Sequence, residues 1–202
     1  KQKLVNVISV QPIGNSPQYL GFALQQTSNQ NNSGIIGFDS TPRWPFVYKN
    51  YEAYAITGLK LKWIPSNFRG SKAYSSSATL VSGTGTIDPA SHTTVITPAY
   101  MYYDVDTYNT TLYSLQQIVG LDKMWVIDPT RTYSKYFSAK ALSKQQNVKW
   151  QDTKEYQQGI ANELTNASVA FSIGGDTLSN EAHSYGFIKC TWYVTFKGQS
   201  TG

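Results

Sequence analysis

Apolar and polar positions alternate most regularly near the end of the chain, in "GFIKCTWYVTFKG", residues 186–198. Ile188, Cys190, Trp192, Val194 and Phe196 fall on one side of an extended strand; Phe187, Lys189, Thr191, Tyr193 and Thr195 fall on the other. Successive side chains of a strand point to opposite faces, so the first row is a core row and the second an outer one. The same alternation runs through "YEAYAITGLKLKWIPS", residues 51–66, with Leu59, Leu61 and Trp63 on one row and Lys60 and Lys62 on the other. Pro65 has no N–H to give a ladder and ends that strand.

Weaker versions of the pattern predict strands over Leu4–Val10 and Tyr19–Gln25, separated by the turn-rich "QPIGNSP". Others are "AYMYYDVD" (99–106), "MWVID" (124–128, stopped by Pro129), "YSKYFSAKAL" (133–142) and "ASVAFSIGG" (167–175). One segment changes period: "TLYSLQQIVGL", residues 111–121, has Leu112, Leu115, Ile118 and Val119 at helical spacing, with Gly120 as a stop. Residues 25–34 and 143–158 read as polar loops, and 66–97 as a long excursion rich in Ser, Gly and Thr. With no internal repeat and no boundary, residues 1–202 read as a single domain. Roughly eight strands predict an all-β antiparallel sandwich, a jelly roll with long loops and one short helix.

Composition sharpens this picture in three ways. Charged residues make up 14% of the 202 positions, roughly half the usual share for a soluble domain, which points to a surface shielded against something else. An assembly subunit fits, as does a polar adhesive surface. The net charge of +5 suits a polyanion partner such as nucleic acid or a sulfated sugar, or simply aids solubility. The single cysteine excludes an internal disulfide framework, and no apolar stretch is long enough to cross a bilayer, so membrane insertion is not expected. Lys1-Gln2-Lys3 leads into a strand rather than into the apolar core of a signal peptide.

Catalytic chemistry needs a constellation, and the sequence holds no HExxH, GxSxG or CxxC pattern. The reading is a non-enzyme with no cofactor and no metal. His92 and His183 lie far apart in polar segments, and Cys190 takes a core register that makes it an inert thiol. Asp104 and Asp106 share one strand face, either as contributors to a calcium site or as a solvated pair. The basic residues carry more information. Lys60, Lys62 and Lys189 project away from the core rows, and "RWPFVYKNY" (43–51) mixes cations with aromatic rings, a combination suited to phosphates and stacked bases or to an aromatic core edge.

Three of these segments, in this order, resemble those of circovirus-type capsid proteins. "YEAYAITGLKLKWIPSN" is similar to their alternating Lys/apolar strand with an aromatic-Pro break, "YSKYFSAKAL" to a mid-chain segment, and "YGFIKCTWYVTFKG" to their final strand. Together they cover about a quarter of the chain. The resemblance implies a single viral jelly roll that self-associates into a small icosahedral shell around circular single-stranded DNA, located in the virion and, during assembly, in the host nucleus. Where that family carries an arginine-rich arm, this chain shows only Lys1 and Lys3. DNA contacts are therefore expected from Lys1, Lys3, Arg43, Lys49, Lys60 and Lys62. Particles of this type attach to sulfated glycosaminoglycans, which makes Lys140, Lys144, Lys149 and Lys154 candidates for host attachment. The alternatives are the capsid of a small RNA or satellite virus and a carbohydrate-binding jelly-roll domain.

Overall fold

A computed structural model of the chain describes residues 1–11, 18–24, 35–66, 98–103, 114–143, 150–153, 168–173 and 185–199. The polar loop 25–34, most of 66–97, Asp104, Asp106, His92, His183, Lys144, Lys149 and Lys154 lie outside these residues.

The strands are β1 (Gln2–Val10), β2 (Gln18–Ala23), β3 (Ile35–Ile36), β4 (Tyr51–Pro65), β5 (Ala99–Tyr103), β6 (Met124–Ile127), β7 (Tyr133–Ser138), β8 (Gln151–Asp152), β9 (Ser168–Ile173) and β10 (Gly186–Gln199). They form two sheets, β1-β10-β4-β7 with β8 beside β4, and β3-β2-β9-β5-β6. Leaving aside the two-residue strands β3 and β8, eight longer strands remain among the described residues. The first pairs with the eighth, the second with the seventh, the third with the sixth and the fourth with the fifth. That nesting is a long hairpin rolled into a sandwich, the jelly roll.

The core lies between the sheets. Leu59, Leu61 and Trp63 on β4 and Ile188, Cys190, Trp192 and Val194 on β10 are all buried, as their alternation predicts. From the other sheet they meet Leu20, Phe22, Met101, Val169, Phe171 and Ile173. Trp63 stacks on Phe171 at 5.3 Å between ring centroids. Both indoles also donate hydrogen bonds, Trp192 Nε1 to the Ala23 carbonyl and Trp63 Nε1 to the Pro129 carbonyl, each at 2.9 Å. A buried indole N–H without a partner would cost stability, so these bonds fix how the two layers sit on each other. Burial pushes the Cys190 thiol up, which keeps it protonated and unreactive.

β10 occupies an interior position of its sheet, between β1 and β4. The final strand is therefore the piece that joins the first strand to the third and closes the sandwich.

The helical content exceeds the single helix read from the sequence. The expected helix is present as α2 (Leu115–Val119), opened by a capping box between Ser114 and Gln117 and closed at Gly120. Two further short helices are α1 (Trp44–Val47), flanked by 3-10 turns at Phe38–Ser40 and Tyr48–Asn50, and α3 (Ala139–Ser143). Their cause is local. α1 has a proline in its first turn and buries Trp44 against Phe38 and Tyr54, with ring centroids at 4.7 and 5.0 Å. In α3 the Ser138 hydroxyl accepts from the Ala141 N–H, and Ala139 and Leu142 are buried. Both are too short for a sequence period to reveal them.

Candidate polyanion-binding face

The pairing of β1, β10, β4 and β7 lays out three rows on the outer side of the first sheet. Lys3 lies opposite Tyr193, and Tyr193 opposite Gly58. The next row runs Val5, Thr191, Lys60, Tyr136, and the third runs Val7, Lys189, Lys62, Ser134. Lys62 and Lys189 are direct cross-strand neighbours, an arrangement that costs stability because like charges repel. The one acid on these four strands is Glu52, at the far end of β4. The face therefore carries a positive excess with no carboxylate interleaved in its rows. Val5, Val7 and Phe187 lie exposed among the lysines, while Thr191 is buried between Val5 and Lys60.

At one end of this face a backbone irregularity opens a cleft. The pairing of β4 with β10 shifts by one residue at Tyr193/Val194, leaving Thr57 outside the ladder. This bulge reverses the inside–outside parity of β4, so Tyr54 and Ile56 join Leu59, Leu61 and Trp63 in the core. The Thr57 hydroxyl donates to the Tyr193 carbonyl at 3.1 Å, and the Thr57 carbonyl accepts from the Tyr136 hydroxyl at 3.3 Å. Gly58 supplies the space: a Cβ there would collide with the Tyr136 ring and with the Phe137 carbonyl. Tyr136 meets Tyr193 edge to face at 5.6 Å, and the Lys3 ammonium stands over the Tyr193 ring at 5.7 Å.

The resulting open cleft, about 550 Å³, is lined by Lys1, Gln2, Lys3, Thr57, Lys60, Tyr136, Tyr193 and Val194. Ammonium groups there can meet phosphate or sulfate oxygens, and the phenol rings offer apolar faces. Three of the six residues expected to contact nucleic acid, Lys1, Lys3 and Lys60, are thus brought together, with Lys62 on the same face. Arg43 and Lys49 are exposed in the helical segment before β4 and do not line the cleft. Trp44, between them, is a core residue and not a stacking platform. Lys140 is exposed on α3. Tyr136 and Tyr193 are the members that sequence reasoning missed. The available signal was Gly58, since a glycine inside a strand marks a bulge or a close approach.

The architecture is that of viral capsid jelly rolls. No protein-family model matches the chain, and no curated protein matches it significantly. Among solved structures, a tobacco necrosis virus chain superposes with a TM-score of 0.57 at 12% identity, covering 98% of this chain and 82% of that one. A cucumber leaf spot virus chain gives 0.56 at 11% identity, covering 99% of this chain and 52% of its own, so this chain spans about half its length. A decameric BFDV capsid protein gives 0.49 at 14% identity, with 97% and 98% covered, a level that adds nothing to the sequence resemblance. At these identities the likeness is one of fold.

Proposed function

We propose that the chain is a viral capsid subunit that self-assembles into a small icosahedral shell around a single-stranded genome. In this reading the lysine face of β1, β10, β4 and β7 meets the nucleic acid. The observation that carries it is the nested eight-strand jelly roll, alike in fold to viral capsid chains over 98–99% of this chain. The low share of charged residues supports it, because subunits that bury much of their surface against copies of themselves need fewer solvated groups. The three circovirus-like segments favour circular single-stranded DNA. The fold likeness to the tobacco necrosis virus and cucumber leaf spot virus chains supports an RNA genome as the second reading. Attachment to a sulfated glycosaminoglycan through Lys140, Lys144, Lys149 and Lys154 belongs to the same proposal.

Electron microscopy and sedimentation of the purified protein test it. Uniform closed particles are expected, since symmetric shells need interfaces that close around rotation axes. A monomer or small oligomer across assembly-promoting salt and pH would overturn the reading in favour of a carbohydrate-binding domain. Digestion of the nucleic acid extracted from particles, by DNase or by RNase, decides the genome type.

A further inference from the structure

We infer that the cleft beside the β4 bulge is a nucleotide slot for single-stranded nucleic acid, with Tyr136 as its base-stacking platform and Lys1, Lys3 and Lys60 as its phosphate contacts. This deepens the reading that the lysine face meets a genome, and rests on it.

Tyr136 is 50% exposed, yet its ring is positioned from three sides. Its hydroxyl is tied to the Thr57 carbonyl, its ring packs roughly perpendicular to that of Tyr193, and it occupies the space a side chain at position 58 would fill. A half-exposed ring held this way presents a face at little further ordering cost on binding, which is what a stacking platform requires. The lysines surround it. Lys60 neighbours Tyr136 directly across β4 and β7, and Lys1 and Lys3 close the opposite wall. A volume of about 550 Å³ lies in the range of sites that hold one small ligand, here a single nucleotide.

The combination discriminates among polyanions. A duplex keeps its bases stacked on each other and offers Tyr136 none. A sulfated sugar satisfies the ammonium groups but has no π face to lay on the ring. A single strand supplies both phosphate and an unstacked base.

Fluorescence anisotropy of the 202-residue chain with labelled ten-nucleotide dT and U oligomers, a ten-base-pair duplex and heparin tests this. Single strands of either sugar should bind more tightly than the duplex. Tyr136→Ala should weaken single-strand binding roughly tenfold while leaving heparin binding unchanged, and Tyr136→Phe should retain most of it. Lys60→Gln should weaken both ligands and lower the log–log salt slope for single strands by about 0.7. Equal affinity for single strand and duplex would overturn the inference, as would an unaltered affinity in Tyr136→Ala. A matching loss of heparin binding in that variant would reduce the cleft to a charge patch. Tyr136→Phe and Lys60→Gln keep the test decisive if Tyr136→Ala fails to fold. A subunit that binds single strands but never forms particles would overturn the capsid reading and leave the slot standing. Particles that form while the cleft binds no oligomer would do the reverse.

Discussion

The two sheets share a core but treat their outer faces differently. On the first sheet the outer rows carry Lys3, Lys60, Lys62 and Lys189 with Val5, Val7, Tyr136 and Phe187 exposed among them. On the second, the corresponding rows are Tyr19, Ser172, Tyr100, Val126 and Gly21, Ala170, Tyr102, Met124. There Tyr102, Ala170 and Ser172 are buried, because α2 lays Ile118 on Tyr102 and Ala170. The second sheet is therefore covered over part of its outer side, although Val126 at its edge stays 60% exposed, and the first sheet keeps its outer side open. This difference explains their sequences. A one-sided sheet reads as clean alternation with lysines outward, whereas a two-sided one gives near-continuous apolar runs such as "YMYY" and "VAFSI". It also says where a partner can bind: the first sheet keeps an accessible face, and the second has already used much of its own.

The largest effect should come from the layer both sheets share. Trp192→Ala removes an indole that is fully buried and leaves the Ala23 carbonyl without its donor. A loss of roughly 3–5 kcal/mol is expected from the cavity, with the orphaned carbonyl adding to it, read from the denaturant midpoint. A loss under about 1 kcal/mol would mean that Trp192 does not lock the layers together.

The same contrast separates what was legible in the sequence from what was not. Ile188, Cys190, Trp192 and Val194 are buried as a row because a β-strand's period of two leaves little freedom once one residue is placed. The stop at Pro65 and the turn after Ile127 were equally readable. In that turn the Asp128 carboxylate accepts from the Thr130 N–H and hydroxyl at 2.9 and 2.6 Å and pairs with Arg131 at 3.3 Å, contacts that hold its carboxyl below the usual carboxylate range. The parity reversal at Thr57 was not legible in the alternation, which alone would have put residues 53, 55 and 57 inward with Leu59; only Gly58 hinted at a bulge. The cleft was hidden for the same reason. Its lysines stood out as outward residues on two strands, but their convergence with Tyr136 depends on the bulge and on which strands are neighbours. Which strands are neighbours is not a local property of the chain.

A pair of substitutions tests the comparison directly. Ile118→Ala uncovers the outer face of the second sheet by truncating a fully buried side chain, and should cost about 2–5 kcal/mol. Val7→Ala on the outer face of the first sheet truncates a side chain that is 56% exposed, and should cost well under about 1 kcal/mol. Thermal melts of the two variants would show the asymmetry. Similar losses at both sites would mean that Val7 is covered as Ile118 is, by another copy of the chain, and sedimentation of the Val7 variant would then show weakened association.

The smallest effect is also the one that ties the open face to its proposed use. Lys189 and Lys62 are direct neighbours on β10 and β4, and no acid interrupts the rows they share. A face arranged only for stability would not place two ammonium groups there. Lys189→Thr puts a β-branched residue into the strand while removing the repulsion, so the isolated chain should gain a fraction of a kcal/mol. The electrostatic part of the gain should be greatest at low salt and shrink towards physiological ionic strength, where screening acts over about 8 Å. Particle assembly with nucleic acid should move the other way, with the variant requiring lower salt to package the same amount. If Lys189→Thr destabilises the subunit at every salt concentration, the lysine row serves folding, and the contrast between a covered sheet and a sheet held open for a polyanion loses its energetic basis.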